Sequence, residues 1–147
     1  MRKMNELTIF EKEEYSKLKI FDKNRKDYIG FFYIMEYGDM VKIGSTIKPY
    51  QRFQQLKRQA VNYSDMSIGR IAISQGHTNY RKNESELHKL FSKERKENSE
   101  LFDISFNEVI DAVKRVGIVY EDKSKELEEK SMTFFEGMKG FVLGGIK

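Results

Sequence analysis

The sequence predicts an α/β fold in which helices pack around a small, largely antiparallel sheet. Residues 31–35 and 41–43 are rich in aromatic and β-branched side chains, and turn chemistry at residues 37–38 separates them, which predicts a β-hairpin. Residues 67–74 alternate well enough for a third strand, and residues 101–104 suit a short fourth one. Helical patterns separate or follow these strands, at residues 50–60, 79–96 and 106–116.

The register of the hairpin follows from the burial of its apolar side chains. Val41 and Ile43 are the apolar residues of the return strand, so the face that they share must be buried. A two-residue loop at the turn then pairs Ile34 with Val41. In that register Tyr33 lies directly opposite Lys42 on the other face, with Cβ atoms about 5 Å apart. A phenol beside an ammonium group is a pair that can take part in catalysis.

Composition limits the class of protein. A chain of 147 residues predicts one domain, and 34% charged against 39% hydrophobic residues indicates a soluble, globular chain. The absence of cysteine excludes disulfides and thiolate metal sites and fits a reducing compartment. No apolar run approaches membrane-spanning length, and the N-terminus lacks a signal-peptide pattern. We therefore expect a cytoplasmic protein with no membrane partner.

Positive charge is concentrated in the middle of the chain. The net charge is +4, yet Asp65 is the one acidic residue between Asp39 and Glu84. The basic residues of that interval are Lys42, Lys48, Arg52, Lys57, Arg58, Arg70, Arg81 and Lys82. So polarised a charge is typical of proteins that bind a polyanion such as nucleic acid, and a solvated basic face without a partner is the alternative.

The two ends of the chain are predicted to be extensions of this core. Thr8 followed by Glu11 has the pattern of a capping box, which predicts a helix to about Ile20. Apolar residues recur at helical spacing over residues 124–138, and the last residues are rich in glycine and apolar side chains. We expect this tail to pack on the core or on a second copy of the chain, with docking on another protein as the alternative. The predicted parts are an N-terminal helical extension, a core and a C-terminal helical, apolar tail, over residues 1–27, 28–116 and 117–147.

Several short motifs resemble, in order and spacing, the GIY-YIG nuclease superfamily. They are residues 32–34 (FYI), residues 42–46 (KIGST) and Arg52. Residues 84–91 (ESELHKLF) and 100–102 (ELF) are similar to the phage and prokaryotic branch, which is often labelled a phage DNA-binding domain. The resemblance implies a three-stranded, mainly antiparallel sheet flanked by helices. It covers residues 30 to about 105, so the N-terminal and C-terminal helices are additions.

The resemblance also implies a catalytic site. Tyr33 matches the tyrosine of the first triplet, and Arg52 matches the arginine of the helix after the second triplet. Glu84 matches the glutamate that binds the divalent metal, Mg²⁺ or Mn²⁺, and His88 matches the helical histidine of the branch. Lys42 stands where the second triplet usually begins with tyrosine.

These side chains suit hydrolysis of a phosphodiester. Glu84 can hold a hard cation, and the planar guanidinium of Arg52 matches phosphate oxygens. Tyr33 alone is a poor base because an isolated phenol has a pKa of about 10. Lys42 opposite it would favour the phenolate, or would contact the scissile phosphate instead. His88 would accept a proton or orient the water shell of the metal.

Each of these residues also has an ordinary structural interpretation. Tyr33 can be packing, Arg52 can pair with Glu84 or Glu86, and Glu84 with His88 can be a helical surface pair. Further basic side chains are candidates for phosphate contacts without sequence readout. They are Lys48, Lys57, Arg58, Arg81, Lys82 and Arg95.

Two classes of function therefore remain. The first is a metal-dependent DNA endonuclease from a phage or mobile element, acting in the host cytoplasm if phage-encoded. The second is a non-cleaving DNA-binding module, or a protein-binding inhibitor, built on the same fold. A homodimer through the tail is a possible assembly, and a host protein is a further possible partner.

Overall fold

The structure is a computed structural model that describes residues 2–4, 7–23, 26–60, 67–97, 99–121, 123 and 125–130. Its strands are β1 (Arg2–Met4), β2 (Thr8–Phe10), β3 (Phe31–Tyr37), β4 (Met40–Thr46), β5 (Ile68–Ile73), β6 (Leu101–Phe102) and β7 (Ile118–Tyr120). Its α-helices are α1 (Pro49–Gln59), α2 (Tyr80–Leu90) and α3 (Phe106–Val116). A 3₁₀ helix spans Lys12–Lys23, and residues 125–130 are helical.

The main sheet has five strands within the described residues, in the order β2-β5-β3-β4-β6, and every neighbouring pair is antiparallel. The predicted α/β class and the antiparallel pairing are confirmed, but the prediction of three strands is wrong. The two additional strands are β2 and β6, of three and two residues, one at each edge. β6 lies within the short strand expected at residues 101–104, whereas β2, which was predicted to start a helix, is too short for alternation to reveal it. β1 and β7 form a separate antiparallel pair.

The hairpin of β3 and β4 has a different register from the predicted one. Ile34 pairs with Ile43, and Tyr33 pairs with Gly44 rather than Lys42. The strands continue to the pair Tyr37–Met40, so the loop is Gly38-Asp39, one residue later than predicted. Gly38 has φ of 63°, a left-handed conformation that glycine adopts without steric cost. Glycine at this first loop position is typical of a type II′ turn.

Helices cover both faces of the sheet. Phe32, Ile34 and Val41 share one face, as predicted, and pack with side chains of α2 and α3. Tyr33 and Met35 point to the opposite face, where they are buried with side chains of α1 and the 3₁₀ helix. The fold therefore has three layers, and an active site has to lie at an edge of the sheet rather than on an open face.

The predicted helix from Thr8 is wrong in its start and its type. Residues 8–10 pair with β5 as β2, and the helix that follows is a 3₁₀ helix. The backbone N–H of Glu11 donates to Oε1 of Glu14 at 3.0 Å, so a capping interaction exists but one turn later than predicted. Pairing with a distant strand has overridden the local helix signal.

Part of the predicted C-terminal helix is present at residues 125–130, where Glu128 forms an ion pair with Lys26. The remainder, residues 131–147, lies outside the described residues. The predicted homodimer and the predicted docking on a host protein depended on that segment. No helix in the described part of the chain is long and apolar enough to cross a membrane.

Asp22 of the 3₁₀ helix holds the N-terminus of α1. Its carboxylate accepts the backbone N–H groups of Tyr50 at 2.6 Å and Gln51 at 3.0 Å. Its carbonyl oxygen accepts from Nζ of Lys48 at 2.7 Å. The first N–H groups of a helix have no partner within the helix, and a carboxylate there also interacts favourably with the helix dipole. Asp22 thus performs the capping role from outside α1.

Replacing Asp22 with alanine is expected to lower the free energy of unfolding by about 1–2 kcal/mol, the usual cost of losing an N-cap carboxylate. Urea denaturation measures this change. The matched control is Asp27→Ala, which removes the same charge from an exposed position and should change stability by less than about 0.5 kcal/mol. Equal effects of the two substitutions would show that the contacts to α1 contribute nothing of their own.

Candidate active site

Chemically active side chains gather at the end of β4 that follows Lys42. They reach it from both layers of helices, because β4 lies near the edge of the sheet and β6 pairs with it only at Val41 and Lys42 among the described residues. The group consists of Tyr33, Lys42, Arg52, Glu84, His88 and Glu100. All but Glu100 are predicted site residues.

Tyr33 and Arg52 meet on the side of the sheet that α1 covers. Nε of Arg52 donates to the phenolic oxygen of Tyr33 at 3.4 Å. Nη2 of Arg52 donates to Oε2 of Glu100 at 3.1 Å, and both side chains of this ion pair are 31% exposed. Arg52 therefore pairs with Glu100, and not with Glu84 or Glu86 as its structural interpretation expected.

The absence of a side chain at Gly44 provides the space in which Tyr33, Arg52 and Glu100 meet. A Cβ atom on Gly44 would collide with Oε1 of Glu100 and would lie 2.5 Å from the phenolic oxygen of Tyr33. Real Cβ atoms essentially never approach another atom so closely, and the ring of Tyr33 is buried and cannot give way. Glycine at this position is therefore required by the packing of the site.

Glu84 and His88 lie on the side of β4 that α2 covers. Oγ of Ser45 donates to Oε1 of Glu84 at 2.6 Å. Nε2 of His88 lies 3.5 Å from Oε2 of Glu84 and 2.8 Å from the carbonyl oxygen of Ile43. Because a carbonyl oxygen can only accept, Nε2 of His88 carries the hydrogen, and Nδ1 is the nitrogen of a neutral ring that can accept a proton.

The phenol of Tyr33 is protonated at neutral pH. Burial raises its pKa to about 12, and the negative charge of Glu100 acts in the same direction, while Arg52 opposes both. The hypothesis that Lys42 opposite Tyr33 favours the phenolate is wrong, because the register places Lys42 beside Met35. Tyr33 is suited to donate a hydrogen bond rather than to remove a proton.

Lys42 nevertheless belongs to the same electrostatic group. Its Nζ lies 4.9 Å from the centre of the Tyr37 ring. Burial lowers the pKa of Lys42, Glu100 raises it, and Arg52 lowers it further. Lys42 therefore interacts electrostatically with both Arg52 and Glu100. Glu84 likewise raises the pKa of Tyr33, which links the two sides of β4 electrostatically.

The sequence also matches a known protein family. The family model described as the T5orf172 domain matches residues 30–117, more than half of the chain. The chain belongs to the T5orf172 domain family. Domains of this family are phage-type domains related to nucleases or to DNA binding, which indicates DNA as the partner. Comparisons with curated proteins and with solved structures found no match.

The T5orf172 domain contains the whole group at the end of β4, but it leaves out β2 and the 3₁₀ helix. Glu100 is a member of the group that the sequence alone did not assign. The signal for it was its place in the ELF motif at residues 100–102. Its position depends on the pairing of β6 with β4, including a hydrogen bond from the Ile43 N–H to its carbonyl oxygen at 2.9 Å, and such distant pairing cannot be derived from spacing.

The basic side chains predicted to contact phosphate fall into two sets within the T5orf172 domain. Exposed side chains at the end of α1 and at the start of α2 form the first set, Lys57, Arg58, Arg81 and Lys82. The second set is bound within the fold. Lys48 donates to Asp22, and Nε of Arg95 donates to the carbonyl oxygen of Ser99 at 2.8 Å.

A surface groove of about 610 Å³ lies between α2 and residues 116–121, and its lining includes Leu90 and Val116. The group at the end of β4 does not contribute to that lining. The candidate catalytic side chains and this apolar groove are therefore in different places. The candidate site is a partly exposed group of charged side chains near a sheet edge, which suits a long polyanion better than a small apolar ligand.

Glu84 is the residue of the group that fits a divalent cation. Its carboxylate is 20% exposed and has the Ser45 hydroxyl beside it, which makes two oxygen donors of the kind that Mg²⁺ prefers. No group of three or more His, Cys, Asp or Glu side chains suited to a metal occurs among the described residues. Mg²⁺ commonly binds through one or two carboxylates together with water and substrate phosphate, and Glu84 could supply one such carboxylate.

Proposed function

We propose that the chain is a metal-dependent endonuclease of the GIY-YIG type, derived from a phage or mobile element, that hydrolyses phosphodiester bonds in DNA in the host cytoplasm. The observation that carries this proposal is that Arg52 binds Tyr33 beside Gly44, while Glu84 accepts a hydrogen bond from the adjacent Ser45 at the same end of β4. A phenol, a guanidinium and a carboxylate near a partly exposed sheet edge are the groups that this reaction needs. Membership of the T5orf172 family supports DNA as the substrate.

The positive charges of the candidate site would bind the phosphate and stabilise the charge that develops on it. Arg52 has a planar fork that can donate two hydrogen bonds to phosphate oxygens. Lys42 adds a second positive charge in the same field. Tyr33 would donate a hydrogen bond from its protonated phenol. Donors placed in advance around a developing dianionic phosphate lower the barrier because they need no rearrangement during the reaction.

The residues that would accept a proton and hold the metal lie on the side of β4 that α2 covers. Attack of water on phosphorus forms a new P–O bond, breaks the bond to the 3′ oxygen and releases one proton from the water. His88 is the residue that would take this proton, at Nδ1, while Nε2 stays bound to Ile43. Glu84 would hold Mg²⁺ or Mn²⁺, and such a cation supplies positive charge to the phosphate and to the leaving oxygen.

One observation favours the alternative of a DNA-binding module that does not cut. The guanidinium of Arg52 is already engaged by Glu100, and an ion pair of this kind also occurs in purely structural sites. In that case the exposed basic residues of α1 and α2 would grip the DNA backbone, and no bond would be broken.

Incubation of purified chain with supercoiled plasmid separates the two. We expect nicked or linear DNA with Mg²⁺ or Mn²⁺ and intact plasmid with EDTA. DNA binding is measured in parallel in EDTA, by fluorescence anisotropy of a labelled duplex. A chain that binds the duplex and leaves the plasmid intact with several divalent metals is a binding module, and the nuclease proposal then fails.

A further inference from the structure

The guanidinium of Arg52 already holds an anion in the free protein. Its Nη2 is bound to Oε2 of Glu100 at 3.1 Å, while its Nε faces the phenolic oxygen of Tyr33. A carboxylate and a phosphodiester carry charge of the same sign, and both accept hydrogen bonds from the same fork. Glu100 therefore occupies Nη2, one of the donors that a substrate phosphate on Arg52 would use, while Nη1 faces Oε1 of Gln55 at 3.4 Å.

The carboxylate of Glu100 also lies among the other groups assigned to the phosphate. Its Oε1 and the phenolic oxygen of Tyr33 flank the same point beside Gly44. Its negative charge raises the pKa of Tyr33 and also raises that of Lys42. A phosphate that contacted Arg52, Lys42 and Tyr33 would thus be repelled by Glu100 at close range, unless Glu100 moved.

The surroundings of Glu100 allow its side chain to move without the backbone. Its carbonyl oxygen is fixed in the sheet edge by the N–H of Ile43 at 2.9 Å. Its side chain is 31% exposed, so the carboxylate can rotate into solvent. Exchange of the carboxylate for a phosphate then costs a rotamer change and one ion pair of modest strength.

We propose that Glu100 is a resident anion that occupies the phosphate site of the free protein and is displaced by a backbone phosphate of DNA. This inference rests on the proposed function, because it takes DNA as the ligand of the site. Glu100 makes the site selective for a ligand with several contacts. A DNA strand, which also contacts other basic side chains, can displace the carboxylate, whereas a single free phosphate gains too little.

Glu100→Gln tests the proposal, because the amide keeps the shape of the side chain and removes its charge. Binding of a short labelled duplex is measured in EDTA, so that no cleavage contributes to the signal. We expect the variant to bind about five-fold more tightly, the size of effect typical of a partly exposed ion pair that no longer competes. The control is Glu97→Gln, an exposed position three residues earlier, which changes the net charge equally and should stay within about two-fold of the wild-type chain.

Arg52→Ala decides whether the gain arises at Arg52. In the Arg52→Ala background, Glu100→Gln should give no gain beyond that of Glu97→Gln. The proposal is overturned if Glu100→Gln binds DNA no more tightly than Glu97→Gln. It is also overturned if Glu100→Gln cleaves less without binding more tightly, and that result would make Glu100 part of the catalytic chemistry. Failure of the nuclease proposal looks different, because a chain that never cuts plasmid can still show the expected change in binding.

Discussion

Glu84→Gln is expected to lower the rate of plasmid nicking by at least about 100-fold, since even residues that only support a metal ligand cost about 10- to 100-fold when replaced. Glutamine keeps an oxygen that can accept the hydrogen bond from Ser45, which is 2.6 Å long in the wild-type chain. It removes the negative charge that a divalent cation needs. The fold should be unaffected, so thermal denaturation and DNA binding in EDTA should match the wild-type chain.

Glu86→Gln is the matched control for this experiment. Glu86 lies on the same helix, its side chain is 58% exposed, and its ion pair with Lys89 spans 3.7 Å at the surface. Loss of such a pair contributes little, so the nicking rate should stay within about two-fold. If the Glu84→Gln variant nicked plasmid at the wild-type rate across a range of Mg²⁺ concentrations, Glu84 would not be the metal ligand.

Arg52→Ala is expected to reduce cleavage by about 100- to 1,000-fold, the cost typical of removing one donor that stabilises charge in a transition state. Arg52→Lys should recover only part of the loss. Lysine restores the charge, but a single ammonium group cannot present the fork that reaches Tyr33 and Glu100 together in the wild-type chain. Single-turnover rates at saturating DNA measure the chemical step without the contribution of binding.

Arg58→Ala separates binding from chemistry. Arg58 is exposed on the same helix and is a candidate for a phosphate contact. Its loss should weaken DNA binding and lower the slope of affinity against salt concentration by about one, with little effect on the rate at saturating DNA. If Arg52→Ala behaved in the same way as Arg58→Ala, Arg52 would be a binding residue without a part in cleavage.

The hairpin illustrates how far sequence patterns reach. Period-two alternation correctly placed Phe32, Ile34 and Val41 on one face, because that assignment depends only on parity. It could not place the loop, since Tyr37 and Met40 continue the ladder by one more pair. Moving a hairpin loop by one residue changes every partner by two positions. The parity survives, whereas the neighbour of Tyr33 changes from a lysine to a glycine.

The candidate site, like the hairpin, could be predicted from the sequence only in part. The resemblance to the GIY-YIG superfamily implied that Tyr33, Arg52 and Glu84 belong to one site, and in the structure all three lie at one end of β4. Contacts formed by distant pairing were not accessible from spacing. The ion pair of Arg52 with Glu100 depends on a two-residue strand, and the capping of α1 depends on Asp22 in another layer. The raised pKa of Tyr33 arises chiefly from burial among side chains of several elements, including α1 and the 3₁₀ helix, which no pattern within its own strand could reveal.

The region before residue 30 matters for handling the protein in the laboratory. A fragment trimmed to residues 30–117 would lack both β2 and Asp22. The outer side of β5 would then present bare backbone groups to solvent, and exposed strand edges of this kind are templates for aggregation. Poor solubility or weak activity of such a fragment would reflect the missing edge strand, so expression should begin upstream of the matched region.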